Sequence, residues 1–184
     1  TSYARATRLN DQDPIVFHAL GATALLLGHD ETAVSSYQRI IELAGEVVDV
    51  KLLVQAGIAL HELGDAAGSS RAYVLALARE PHNLTARTNL GWNLYANGKL
   101  DSAVHHFEAV LRKQASSVAH FNLGLTLLAG GHVGRAERVY RQALATYGSA
   151  EGRRIGATQD LEDLINGGVQ VTAARHILDA FGLR

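Results

Sequence analysis

The sequence predicts an all-α chain folded as a row of short helical hairpins, and three observations predict it. Only two prolines, Pro14 and Pro81, occur in 184 residues. Apolar residues recur at intervals of three and four, the period of a helix face, rather than two. Glycines and aromatics then return together every 33 to 36 positions, so the helices come in copies.

Composition narrows what such a chain can do. Its length suits one sizeable domain or a short repeat array with a buried core. With 17 Lys+Arg against 18 Asp+Glu and a net charge of −1, no bulk field draws it to nucleic acid or to an acidic membrane. Cysteine is absent, which excludes disulfides, thiolate metal sites and cysteine nucleophiles. The most apolar stretch, residues 19–28, is shorter than the ~20 residues of a membrane-spanning helix, and the first residues lack a signal-peptide pattern. We therefore expect a soluble, cytoplasmic protein with no membrane insertion.

In chain order, residues 1–13 come first. Tyr3, Ala6 and Leu9 precede Pro14 with the spacing by which Tyr73, Ala76 and Arg79 precede Leu84, so they read as the end of a preceding repeat and the chain as a fragment or processed product of a longer protein. Repeat 1, residues 14–49, has Leu20-Gly21, Gly28, Ala33 and Tyr37. Repeat 2, residues 50–83, has Ala56-Gly57, Gly64, Ser69 and Tyr73, and it keeps Pro81. Repeat 3, residues 84–116, has Leu90-Gly91, Gly98, Ala103 and Phe107. Repeat 4, residues 117–150, has Leu123-Gly124, Gly131, Ala136 and Tyr140. In residues 151–184 the marks fade, but 155–166 and 171–181 still read as helices around Gly167-Gly168, a capping pair whose Leu161, Leu164, Ile165, Ile177, Leu178 and Phe181 cover the last repeat.

Each mark has a physical reason. A glycine within a helix costs about 1 kcal/mol against alanine, so Gly21, Gly57, Gly91 and Gly124 need a compensating close approach of the paired helix. Gly28, Gly64, Gly98 and Gly131 stand where the first helix must stop, and glycine accepts the left-handed conformation that ends helices. The small residue and the aromatic four positions on share a face of the second helix and fill the gap between the two. One hairpin cannot bury its apolar face alone, and stacking does so.

This pattern resembles the tetratricopeptide repeat, a helix–turn–helix unit of about 34 residues. The resemblance covers roughly residues 14–150 and implies a right-handed superhelical solenoid of antiparallel hairpins: four full repeats, a partial N-terminal helix and the capping pair. It also implies that the first helices line a concave groove. Carried onto this chain, the groove holds Lys51, Val54, Gln55, Ile58 and His61 from repeat 2, Thr88, Asn89, Trp92 and Tyr95 from repeat 3, and Phe121, Asn122 and Leu125 from repeat 4. Gln55, Asn89 and Asn122 would form a ladder of amides suited to a peptide backbone, and the aromatics would supply contact area. The alternative is that Trp92, Tyr95 and Phe121 simply pack between repeats. A subgroup of the family clamps a terminal carboxylate with lysines, an arginine and asparagines. Only Lys51, Asn89 and Asn122 offer anything similar, so no preference for a free C-terminus is expected.

Catalytic and metal chemistry finds little support. His105 and His106 lie about 100° apart on a helix and read as a solvated pair, and His120 reads as structural. The run from Gly130 to Gly134 is a turn, not a phosphate loop. Asp65 and Asp101 read as helix-start carboxylates. We expect no cofactor, no metal and no catalysis. The expected function is a scaffold that binds a partner peptide or helix. Two alternatives are a regulatory or substrate-recruiting segment of a larger enzyme, such as a glycosyltransferase, kinase or phosphatase, and a self-assembling homo-oligomer.

Overall fold

Glycine sets where the first helix of each hairpin ends. Gly28, Gly64, Gly98 and Gly131 all have positive φ, between 70° and 81°, which only glycine adopts without strain. In each turn the following residue donates its N–H back to a helix carbonyl five residues earlier: His29 to Ala24, Asp65 to Leu60, Lys99 to Leu94 and His132 to Leu127, at 2.8–2.9 Å. That bond is the mark of a Schellman stop, and it satisfies a carbonyl the helix itself leaves open.

The structure, a computed structural model, describes residues 13–44 and 48–182. The expectation for Tyr3, Ala6 and Leu9 lies outside them. Ten helices are seen among the described residues: α1 (Pro14–Leu26), α2 (Asp30–Glu42), α3 (Val50–Glu62), α4 (Ala66–Arg79), α5 (Leu84–Ala96), α6 (Leu100–Leu111), α7 (Ser117–Ala129), α8 (Val133–Arg154), α9 (Ala157–Asn166) and α10 (Val171–Ala180). The chain is all-α, as its periodicity predicts. It divides into two compact units that meet within α5, between Leu90 and Gly91.

In the N-terminal unit α1 pairs with α2 and α3 with α4, while α2 also packs on α3. Asp13, Asp49 and Asp65 cap α1, α3 and α4 by accepting the N–H of Ile15, Lys51 and Gly68. Such caps are worth about 1 kcal/mol each. Tyr37, Ile40, Leu53, Leu60 and Tyr73 form the buried core. The Arg79 guanidinium closes one side, donating to the carbonyls of Val48 and Ala44 in the segment before α3.

In the C-terminal unit α7 is enclosed on nearly every side, with Phe121, Leu123, Leu125, Thr126, Leu127 and Leu128 all buried. Its neighbours are α6, α8 and α9, and α10 rests on α9 and α8. The sequence reading started the first capping helix at Ile155. Instead α8 continues to Arg154 through a break at Gly148 (φ 79°, ψ 162°), and α9 begins only after the left-handed Gly156 (φ 88°). Glu151 holds the segment after the break: it accepts from Ser117 at 2.7 Å and from Arg154 through both oxygens at 2.7 Å.

The inner glycines explain the spacing of the hairpins. A Cβ built on Gly21, Gly57, Gly91 or Gly124 would lie 2.9, 2.6, 2.9 or 2.8 Å from the ring of Tyr37, Tyr73, Phe107 or Tyr140. One side of the aromatic ring on the second helix therefore lies against the bare backbone of the first. Gly124→Ala should lower the stability of the C-terminal unit by about 1–3 kcal/mol, because overpacking outweighs the gain in helix propensity. Gly134→Ala, at an exposed site where the new carbon meets only an ordinary contact, should raise it by up to about 1 kcal/mol. Urea denaturation of the two variants checks the opposite signs.

Candidate partner-binding face

On α3 the buried residues Leu53, Ala56, Gly57 and Leu60 occupy one side, so the helix turns Lys51, Ile58 and His61 outward. All three are exposed, and Ile58 is 37% exposed, unusual for so large an apolar side chain. Gln55 is half-buried beside them, whereas Val54 is largely covered, at 9%. On the N-terminal half of α5, Thr88 is half-buried and its hydroxyl donates to the Leu84 carbonyl at 2.9 Å. The Asn89 amide donates to the Tyr73 hydroxyl at 3.1 Å. It pins α5 to the aromatic of the preceding hairpin, a structural task the sequence reading did not assign to it.

The C-terminal unit treats the equivalent positions differently. Trp92 and Tyr95 are half-buried, with rings 5.2 Å apart and tilted by 34°. Asn122 is half-buried, and its backbone carbonyl accepts from Thr126 at 2.7 Å. Phe121 and Leu125, expected to face a groove, are each only 1% exposed, and Phe121 sets its edge against Tyr140 at 6.0 Å. They lie on α7, which is packed by α6, α8 and α9.

That helix brings carboxylates with it. Burial, and then the neighbouring Asp163, push the Asp160 carboxyl up to about 6. The Tyr95 hydroxyl is raised by burial and then by Asp160 and Asp163, and burial raises that of Tyr140 well above its ordinary value, with Asp160 adding to it. Asp160, Asp163, Tyr95 and Tyr140 thus form one electrostatic cluster, and the sequence reading missed it. Its signal was nonetheless present, because Asp160 lies three residues after Ala157 and one before Leu161, on the same face of α9 as the buried stripe.

The histidines behave as structural or surface groups. His105 is exposed and His106 half-buried, with rings 6.1 Å apart and nearly perpendicular. The expected solvated pair thus holds for His105 but not for His106, and the two rings are not arranged as a chelate. The His120 ring lies within 3.3 Å of both the Ser116 carbonyl and the Tyr147 hydroxyl. Among the described residues no group of three or more His, Asp or Glu side chains could hold a metal ion. Nor is any helix of these residues long and apolar enough to cross a membrane.

Comparison with known proteins agrees with this architecture. Residues 88–151 match the family described as tetratricopeptide repeat. Among solved structures, YrrB, described as a TPR protein with an unusual peptide-binding site, matches with a TM-score of 0.68 at 19% identity, over 79% of this chain and 74% of its own. MamA matches with a TM-score of 0.68 at 15% identity, over 90% of each chain. MamA from Desulfovibrio magneticus RS-1 matches with a TM-score of 0.67 at 21% identity, over 92% of this chain and 94% of its own. No curated protein matches in sequence. Residues 88–151 are thus tetratricopeptide repeat, and the chain shares the fold of such proteins.

The carboxylate cluster gives a pH dependence with a definite sign. The folded Asp160 carboxyl titrates at about 6, above its ordinary 3.8, so above about pH 6 the fold holds a charged, half-buried group that the unfolded chain would hydrate. That cost fades as pH falls through 6 and is gone below about 4. Asp160→Asn should therefore stabilise the C-terminal unit by about 1–2 kcal/mol at pH 7.5 and by nothing measurable at pH 4. Thermal melts of both forms across that range check the convergence.

Proposed function

We propose that the chain is a protein–protein interaction module that holds an extended segment or helix of a partner against its first-helix faces, with no catalytic step. The observation that carries this reading is the outward face of α3. There Lys51, Ile58 and His61 stand exposed together, while the side chains the hairpin needs for packing lie on the other side of the same helix. Ile58 offers an apolar anchor, Lys51 a charge for a partner carboxylate, and Gln55 an amide that can both donate to and accept from a peptide backbone. The likeness in fold to YrrB, a protein whose own description includes a peptide-binding site, supports the same reading.

A peptide-display selection on the full chain tests it. Enriched peptides should lose about tenfold or more in affinity on Ile58→Asp or Lys51→Glu, with helical circular dichroism unchanged. A selection that enriches nothing, or peptides that bind both variants as well as the parent, would count against the proposal.

Self-assembly is a second reading, favoured by α1. Ile15, Leu26 and Leu27 on or beside that helix are 66%, 87% and 65% exposed. Large exposed apolar side chains such as the adjacent Leu26 and Leu27 commonly mark association surfaces. Light scattering over a dilution series should then show a mass that falls toward the monomer and stays there in a Leu26→Lys, Leu27→Lys double variant.

A further inference from the structure

The repeat register allows one position to be compared between hairpins. The residue after the inner glycine is Ile58 in repeat 2 and Leu125 in repeat 4, and three residues further on stand His61 and Leu128. Ile58 is 37% exposed and His61 is exposed, whereas Leu125 and Leu128 are 1% and 0% exposed. The face left open on α3 is thus filled on α7. One of the elements packed on α7 is α9, which also packs on α8 and sets Asp160 and Asp163 in the field of Tyr95.

Its buried stripe is Ala157, Leu161 and Leu164, the i, i+4, i+7 spacing by which an amphipathic helix enters an apolar groove. Two glycines set α9 apart from the helix before it. Gly148 interrupts α8 with φ 79° and ψ 162°, Gly156 turns left-handed, and an added Cβ at either would meet nothing within 4 Å. Two polar ties from the pair back to α8 lie on the surface: His176 to Glu137 at 3.2 Å and Arg153 to the Gly182 carbonyl at 2.8 Å. Exposed contacts of this kind hold little free energy. The seat also carries a penalty, because Asp160 is half-buried and feels the charge of Asp163.

We propose that this face of α7 is a helix-binding surface filled in cis by α9, and that its partner in trans is an amphipathic helix with the same small-Leu-Leu stripe and an uncharged residue in place of Asp160. The partner enters when α9 and α10 swing out together about Gly156, while Glu151 keeps the segment before it tied to Ser117 on α7. Such a helix reproduces the apolar contacts of α9 without burying a carboxylate, so it displaces the resident one. The partner's chemistry rests on reading the chain as a binding module, but the opening of α9 and α10 does not.

Two measurements on the full chain test the proposal. Hydrogen exchange should show the amides of α9 and α10 exchanging together through an opening that leaves α7 and the first part of α8 protected, as expected of a separately opening unit. Exchange of α9 and α10 in step with α7 would overturn it, since the pair would then be inseparable from the core. The second measurement uses a fluorescent synthetic peptide of residues 149–182 and its Asp160→Asn form. The parent chain should bind the Asn peptide about tenfold more tightly than the native one, and a Leu161→Asp chain, its own helix unseated, should bind both about tenfold more tightly than the parent does. A Leu161→Asp chain that keeps its helical signal and binds neither peptide overturns the proposal. If that variant unfolds, hydrogen exchange of the parent decides alone. Neither readout involves α3, so the display selection and this test can fail separately.

Discussion

A ring lying on a bare stretch of helix backbone is the contact on which each hairpin depends. Tyr37, Tyr73, Phe107 and Tyr140 each lie so close to a glycine of the paired helix that a single methyl group would collide. The rings are almost wholly buried, so they supply a large share of the apolar area each hairpin removes from water. The same contact sets the separation of the two helices. Everything nearer the surface, including which side chains of the first helix point outward, follows from that separation and from the helical period.

Once the inner face is committed to this contact, the outer face is free to vary, and the two units use it differently. On α3 it stays open and mixed in character: a lysine, an isoleucine and a histidine. On α7 it is leucine and phenylalanine and is buried. The same repeat thus yields a surface in one unit and an interior in the other. The difference arises from a few side chains and from two glycines that release the chain from its register.

The residues that build the hairpins were legible in the sequence because their causes are local. A stop glycine, a ring four residues after a small side chain and a glycine beneath that ring all lie within one repeat, and the chain writes them four times. The candidate face was less legible because its fate is decided at a distance. Leu161 and Leu164 are legible as cover for the last repeat, but the burial of Phe121 and Leu125, which the same pattern assigns to a groove, is not. The extension of α8 past Gly148 was hidden for a related reason: the segment after the break is held by Glu151 reaching Ser117, 34 residues away. Asn89 was read as part of an amide ladder, yet its partner is Tyr73, in the hairpin before it.

The bond between Asn89 and Tyr73 also bears on how such a chain avoids folding incorrectly. Repeated hairpins are nearly interchangeable, so apolar stacking alone distinguishes poorly between the intended neighbour and a shuffled one. A donor in the right place adds a hydrogen bond to a phenol oxygen below the surface, and a mismatch forfeits that bond, worth about 1 kcal/mol. Phe107, at the matching position of the next hairpin, has no such oxygen and makes no such demand. One amide and one hydroxyl can therefore act as an address label, telling the second hairpin which helix belongs against it while the rest of the contact says only that some helix does.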